Sequence, residues 1–389
     1  MRSFAASLLL MLTACSNPAP SPADKPAEGA PAAKAEAEVT PELAAQLEAL
    51  GYGAKEGGVS AKAPATAAPY SGKVWTIGMS QTTLDEPWRV QMNQDIKNAA
   101  EKHPNLKVIF KDAQSDTLQQ RNHIEEFVSQ GVDLLIVSPK ETALEMPIAA
   151  AYQAGIPVIV LDRAVPGDKF TMFIGANNRL IGEAAGNWIA QKLGGKGNVV
   201  ELKGLMTSTP GQDRHSGFRA GIADTAIQVV FEADMQWKEP LARQEMESAL
   251  ARFDQIDCVY GHNDPAAHGA WLAAQAAGRE DDMIFVGIDA LPHEGLAYVE
   301  QGVLDACFEY PTGGADAIAY ALQILEGKTV PRHVTSPSRI FTKENLAQGG
   351  ERLDPRSGSE AAPSPEVTPA VTENEAAPAV EPAAAVQAP

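Results

Sequence analysis

The stretch VWTIGMSQTTLDEPWRVQMNQDIKNAAEKH, from Val74 to His103, contains the unit from which the middle of the chain is built. VWTIGMS is a short apolar run of strand length, and WRVQMNQDIKNAAEKH has the apolar spacing of a helix. Between them stands DEPWR, with Pro87 set to open the helix. The couple recurs as far as Phe341. Its strand-like runs are LKVIFKDA, DLLIVSP, PVIVLDR, FTMFIGA, GNVVELKG, QVVFEAD, CVYGHND, IFVGIDA and LDACFEY. Helix-like segments separate most of them, and Gly131, Gly155 and Gly278 stand where helices should stop.

Strands alternating with helices imply parallel sheets covered on both faces. About ten strands are too many for one doubly wound sheet of ordinary size. The expected fold class is therefore α/β, with two Rossmann-like lobes joined by a hinge. In such sheets ligands bind beyond the carboxyl ends of the strands. Here those ends are polar: Ser80, Ser138, Asp162 with Arg163, Asn263 with Asp264, Asp289 and Glu309. Asp and Asn also cap helices; Ser138 and Asp264, each directly before a proline, read as mainly structural. Capping does not explain Arg163, nor Glu309 closing an apolar strand ahead of Tyr310 and Pro311. Recurrence at one end of the sheets marks a binding cleft.

The chain has 389 residues and a net charge of -19, a balance that argues against nucleic acid. MRSFAASLLLMLTACSN begins with Arg2 and an apolar core from Phe4 to Leu12, too short to span a bilayer. It reads as a signal peptide over residues 1–14. LTAC looks like a bacterial lipobox, which makes Cys15 the lipidation site and the anchor to the membrane. Residues 15–72 and 354–389 are rich in Ala, Pro and Glu and read as disordered tether and tail. Within the first, TPELAAQLEALGYG has the pattern of a small helix. Cys258 and Cys307 lie in apolar runs, where a buried free thiol is the default and a disulfide the alternative.

The carriers PVIVLDR, TSTPGQDRHSGFRAG, VYGHNDPAAHGAW, FVGIDALPHEG and ACFEYP together make the region from Lys73 to Lys343 resemble the type I periplasmic sugar-binding proteins, the ribose- and galactose-binding group. DEPWR and Glu309 bring it closest to the galactofuranose-binding branch, where a Trp-Arg pair replaces paired phenylalanines. The resemblance implies ligand contacts from Trp88, Arg89, Asp162 and Arg163 in the first lobe. In the second it implies Arg214, Asn263 and Asp289, with Glu309 near the hinge. Ser80 and Trp237 are secondary candidates. Chain crossings between the lobes are expected near Ala176 and Asn177, near Tyr310, and from Ser336 to Arg339. That divides the middle into an N-terminal lobe, 73–176 plus 310–335, and a C-terminal lobe, 177–309 plus 336–346. Ile288 stands where ribose binders carry an aromatic, and Asp85 and Glu86 replace amides, so ribose itself is not the first choice.

The named residues suit a neutral polyol. Vicinal hydroxyls match planar groups offering two hydrogen bonds, and a tryptophan face covers the C–H surface of a ring. The function expected is capture of a small neutral sugar, furanose-type such as galactofuranose, for the permease of an ABC transporter. The protein would act as a lipid-anchored monomer in the cell envelope, with no cofactor and no metal. A sugar sensor presenting its closed form to a membrane receptor is the alternative. An enzyme is disfavoured: the chain has seven histidines but no HExxH, GxSxG or P-loop pattern. A repressor is excluded because a lipobox stands where a DNA-reading helix-turn-helix would be.

Overall fold

A computed structural model of the chain describes residues 72–353. Cys15 and the signal peptide, the tether, the predicted helix in TPELAAQLEALGYG and the tail from 354 to 389 lie outside the described residues. Thirteen strands run in chain order: β1 (Trp75–Gln81), β2 (Leu106–Asp112), β3 (Leu134–Val137), β4 (Val158–Leu161), β5 (Met172–Ala176), β6 (Lys196–Lys203), β7 (Ala226–Asp234), β8 (Cys258–Gly261), β9 (Ile284–Asp289), β10 (Ala306–Glu309), β11 (His333–Ser336), β12 (Arg339–Thr342) and β13 (Glu351–Arg352). The main helices are α1 (Pro87–Ala100), α2 (Thr117–Gln130), α3 (Glu145–Gln153), α4 (Asn178–Lys192), α5 (Thr209–Gly221), α6 (Glu239–Arg252), α7 (Asp264–Ala276), α8 (Gly295–Gln301) and α9 (Gly314–Leu325).

The strands form two sheets. The six-stranded sheet has the order β11-β5-β4-β3-β1-β2, and the seven-stranded sheet the order β13-β12-β10-β9-β8-β6-β7. Pairing is parallel throughout, except that β12 runs antiparallel to both β10 and β13. Residue chemistry explains the order. LLIV of β3 and VIVL of β4 are buried at every position and sit centrally, covered on both faces. AIQVVFEAD of β7 alternates between exposed and half-buried residues and forms an edge. In each sheet the order reverses beside the first strand of the lobe, between β1 and β3 and between β6 and β8. Such switch points open a crevice at the carboxyl ends of the strands.

The chain passes from the first sheet to the second after Ala176, where Asn177 caps α4 by accepting from Leu180 N at 3.0 Å. It returns after Glu309, and passes once more between Ser336 of β11 and Arg339 of β12. The strands expected from sequence are β1 to β10. β11, β12 and β13 are additional; HVTS, RIFT and ER hold no continuous apolar run like the LLIV and VIVL of β3 and β4.

Helices α4 and α5 approach backbone to backbone because glycines face each other. A Cβ on Gly182 would lie 2.3 Å from Arg214 O, and one on Gly217 would lie 2.1 Å from Arg179 O. This contact sets the position of Arg214 in the cleft. Cys258 and Cys307 are buried free thiols, and Cys307 Sγ donates to Asp264 Oδ1 at 2.8 Å. Among the described residues no helix is long and apolar enough to cross a membrane.

Candidate functional site

The carboxyl ends of both sheets converge on one cleft, whose empty space, open solvent included, is about 280 Å³. Glu86, Trp88, Arg89, Asp162 and Arg163 line it from the first lobe. Pro210, Arg214, Trp237, Asn263 and Asp289 line it from the second, and Tyr310 lies at the crossing. Formal charges balance, with Arg89, Arg163 and Arg214 against Glu86, Asp162 and Asp289.

Pro87 starts α1, which places Trp88 and Arg89 in its first turn. Arg89 is held on all sides within its own lobe. Its Nε donates to Glu86 Oε2 at 3.1 Å and its Nη2 to Asp162 Oδ2 at 3.1 Å. Its Nη1 donates to Gln81 Oε1 at 3.0 Å and Ser138 Oγ at 2.9 Å. A guanidinium has five N–H groups, so this leaves about one for a ligand. Burial works against the Arg89 charge, but Glu86 and Asp162 outweigh it and hold its pKa above the ordinary value. Trp88 stacks on Tyr310 with ring centroids 4.9 Å apart, and its Nε1 donates to Tyr310 O at 2.7 Å.

Arg163 is the less committed cation. Its Nη1 donates to Lys140 O at 2.7 Å, while its buried Nε has no hydrogen-bond partner among the described residues. Burial, with Arg89 close by, lowers its pKa to about 10, so it stays charged at neutral pH.

The second wall carries more open polar groups. Arg214 Nε donates to Asn178 Oδ1 at 2.9 Å, and its Nη1 donates to His262 O. The Arg214 guanidinium lies 5.3 Å from the Trp237 ring centroid, and Arg163 approaches the same ring from the first lobe at 5.7 Å. Trp237 Nε1 is buried with no partner among the described residues. Its ring rests on Gly204, where a Cβ would lie 2.1 Å from the indole. Asn263 caps α7 by accepting from Ala266 N at 3.0 Å and donates to Trp237 O at 3.1 Å. Asp289 lies 3.9 Å from Arg214 Nη1. Burial pushes its carboxyl well above the usual range, Asp264 adds to that, and Arg214 opposes it. Asp162, Trp237 and Asp289 have φ of 75°, 67° and 140°, conformations that side-chain-bearing residues rarely adopt. Strain of this kind clusters at functional sites.

Of the sequence candidates, Trp88, Arg89, Asp162, Arg163, Arg214, Trp237, Asn263 and Asp289 are brought together. Ser80 and Glu309 are not. Ser80 is buried outside the cavity lining, and Glu309 Oε2 lies 3.8 Å from Arg339 Nε. The ring at the cavity is that of the next residue, Tyr310, one position beyond the end of β10. Ser138 is more than structural, since it accepts from Arg89 and its hydroxyl lies 3.3 Å from Asp162 Oδ2. Asp264 is not the cap of its helix; Asn263 is, and Asp264 accepts from Ala290 N at 2.8 Å and from Cys307. Sequence reasoning passed over Glu86, Pro210 and Tyr310 as wall residues. For the first, the signals are its i,i+3 spacing from Arg89 and its place where ribose binders carry an amide.

The histidines beside the cleft are tied into the fold. His262 Nε2 and His215 Nδ1 lie 3.1 and 2.8 Å from Glu201 Oε1. Burial would raise the Glu201 pKa, but hydrogen bonds from His215 and His262 outweigh it and bring it to about 2. Glu201, His215 and Glu232 are close enough to hold a metal ion. The Arg219 guanidinium already bridges the two carboxylates, at 3.2 Å from Glu201 and 2.6 Å from Glu232.

Two α/β lobes closing over a small polar cavity define a solute-binding protein of the two-lobed, hinged class. The family described as periplasmic binding protein domain matches residues 77–329, and the chain belongs to that family. It is 32% identical to the ribose import binding protein RbsB of Bacillus subtilis (strain 168), covering 70% of this chain and 88% of that one. It is 30% identical to the galactofuranose-binding protein YtfQ of Escherichia coli (strain K12), covering 56% of this chain and 71% of that protein. Among solved structures, the fructose-binding periplasmic domain of a hybrid two-component system is 43% identical, with a TM-score of 0.69, covering 71% of this chain and 93% of that one. These relatives are binding proteins rather than enzymes.

Proposed function

We propose that this protein captures one small neutral sugar between its lobes, in furanose form, and hands it to the permease of an ABC importer. It does so outside the cytoplasm, anchored by lipid on Cys15. The observation that carries the reading is the cavity wall itself: three guanidinium groups and three carboxyl groups, with two tryptophan faces among them. Planar charged groups pair with vicinal hydroxyls, and indole faces cover the ring carbons. Carboxyl groups set among the three guanidinium groups leave no wall of unopposed cations for a phosphorylated sugar or a sugar acid. Trp88, Arg89, Asp162, Arg163, Arg214, Trp237, Asn263 and Asp289 are the ligand contacts. Fructose and galactofuranose head the candidates, and ribose follows them; relatives are named for each.

A second reading has its own support. The fructose-binding relative at 43% identity belongs to a two-component system, which favours a sensor delivering its closed form to a receptor. A thermal-shift panel of neutral furanoses and pyranoses, sugar phosphates and sugar acids tests the ligand class. A neutral sugar alone should raise the melting temperature; a phosphate or acid doing so instead would overturn the reading. Pull-down by the sugar-loaded protein of a permease or of a histidine kinase then separates importer from sensor.

A further inference from the structure

Tyr310 joins groups that belong to both lobes. It follows the last residue of β10, at the second chain crossing, and is 3% exposed. Its Oη donates to Asp162 Oδ1 at 2.7 Å in the first lobe and accepts from Asn178 Nδ2 at 3.3 Å at the start of α4 in the second. Asn178 Oδ1 in turn takes the Arg214 Nε hydrogen bond at 2.9 Å. The ring is held between the Trp88 indole and the Arg214 guanidinium, whose Cζ lies 4.4 Å from the Tyr310 centroid. One side chain therefore touches Trp88 and Asp162 on one wall and Arg214 on the other. Its hydroxyl is taken up by these protein partners, which sets it apart from a ligand-binding group.

We propose that Tyr310 is a positioning residue that couples lobe closure to the alignment of the cleft, through the chain Asp162–Tyr310–Asn178–Arg214. The bonds of this chain span the hinge, so they are made together only when the lobes have closed. A second cross-cleft contact, Ala164 N to Thr209 Oγ1 at 3.1 Å, closes the rim but touches neither Asp162 nor Arg214. Arg163 over Trp237 also bridges the walls, at 5.7 Å, but the Tyr310 chain is the one among the described residues that joins Asp162 to Arg214 through hydrogen bonds. In the closed state, loss of the hydroxyl leaves the buried Asp162 and Asn178 short of a partner, and such losses are costly.

The inference rests on the cleft being the sugar site, and its test separates the two. Tyr310→Phe keeps both ring contacts and removes only the hydroxyl. Stopped-flow tryptophan fluorescence with whichever of fructose, galactofuranose and ribose the parent binds should show release accelerated about tenfold or more, with association little changed. X-ray scattering of the sugar-free variant should show a larger radius of gyration than the parent. Asn178→Ala should act through the same chain, so the double variant should lose much less than the product of the single effects. Tyr310→Phe with unchanged release and scattering would overturn the proposal, as would simple multiplication of the two effects. If the parent protein binds no sugar but the variant still scatters as the more open form, the coupling stands and the sugar reading falls.

Discussion

On the first-lobe wall every nitrogen of Arg89 meets a protein acceptor, whereas on the second-lobe wall the Trp237 indole N–H meets none among the described residues. Asp289, facing the cleft from the same second wall, has the Arg214 guanidinium only at 3.9 Å. One wall is thus organised before a ligand arrives, which lowers the ordering cost of binding. The other keeps buried polar groups that a ligand can complete, and unpaired buried groups discriminate sharply between partners that fit and partners that do not. Arg163 is the exception on the first side: it keeps donors open and leans over Trp237 from across the cleft.

That exception gives the largest expected effect. Arg163→Ala should weaken sugar binding by roughly ten- to a hundredfold, from the loss of about 1.5–3 kcal/mol in a charged hydrogen bond. Calorimetric titration reads it, and an unchanged affinity would take Arg163 out of the site. Next comes the scaffold under the second wall. Gly182→Ala forces a Cβ against the backbone of Arg214, so stability should fall by about 1–3 kcal/mol. A melting curve should drop by several degrees, and a stable variant would show that α4 and α5 can separate at no loss.

The second lobe, behind that wall, should also respond to pH. Burial, with Asp264 nearby, lifts the Glu294 carboxyl to about 8. A carboxyl raised on folding contributes stability that is fully present below its unfolded value of about 4.3. That stability is lost as pH rises through the folded value near 8. Wild-type protein should therefore lose melting temperature across this window faster than Glu294→Gln, and parallel curves would contradict the assignment. The smallest effect belongs to Glu309→Gln. Its carboxylate lies toward Arg339 and outside the cavity lining, so sugar affinity should hardly change; a large loss would return Glu309 to the cleft.

The apolar runs of β1 to β10 could be read because buried parallel strands need continuous branched residues, as LLIV and VIVL show. HVTS of β11 and RIFT of β12 could not, since their pairing depends on where the chain crosses between sheets rather than on local pattern. Polar residues just beyond strand ends pointed to Asp162, Arg163, Asn263 and Asp289, all of which line the cavity. The same rule failed at Glu309 and Ser80. A strand end fixes where the backbone arrives but not which side chain reaches the cavity, and at β10 the wall residue is Tyr310, one position beyond the strand. Trp237 was readable only in part. Its place depends on a backbone φ of 67° and on the absent side chain of Gly204, neither of which leaves a periodic signal.

The central claim is that two walls of different construction close on one neutral sugar. Calorimetric titration of protein unfolded, freed of bound ligand and refolded, against fructose, galactofuranose and ribose in parallel, tests it most directly. The account predicts tight binding of one sugar at one site per chain. Absence of heat across neutral furanoses and pyranoses alike, from protein with native melting behaviour, would contradict it.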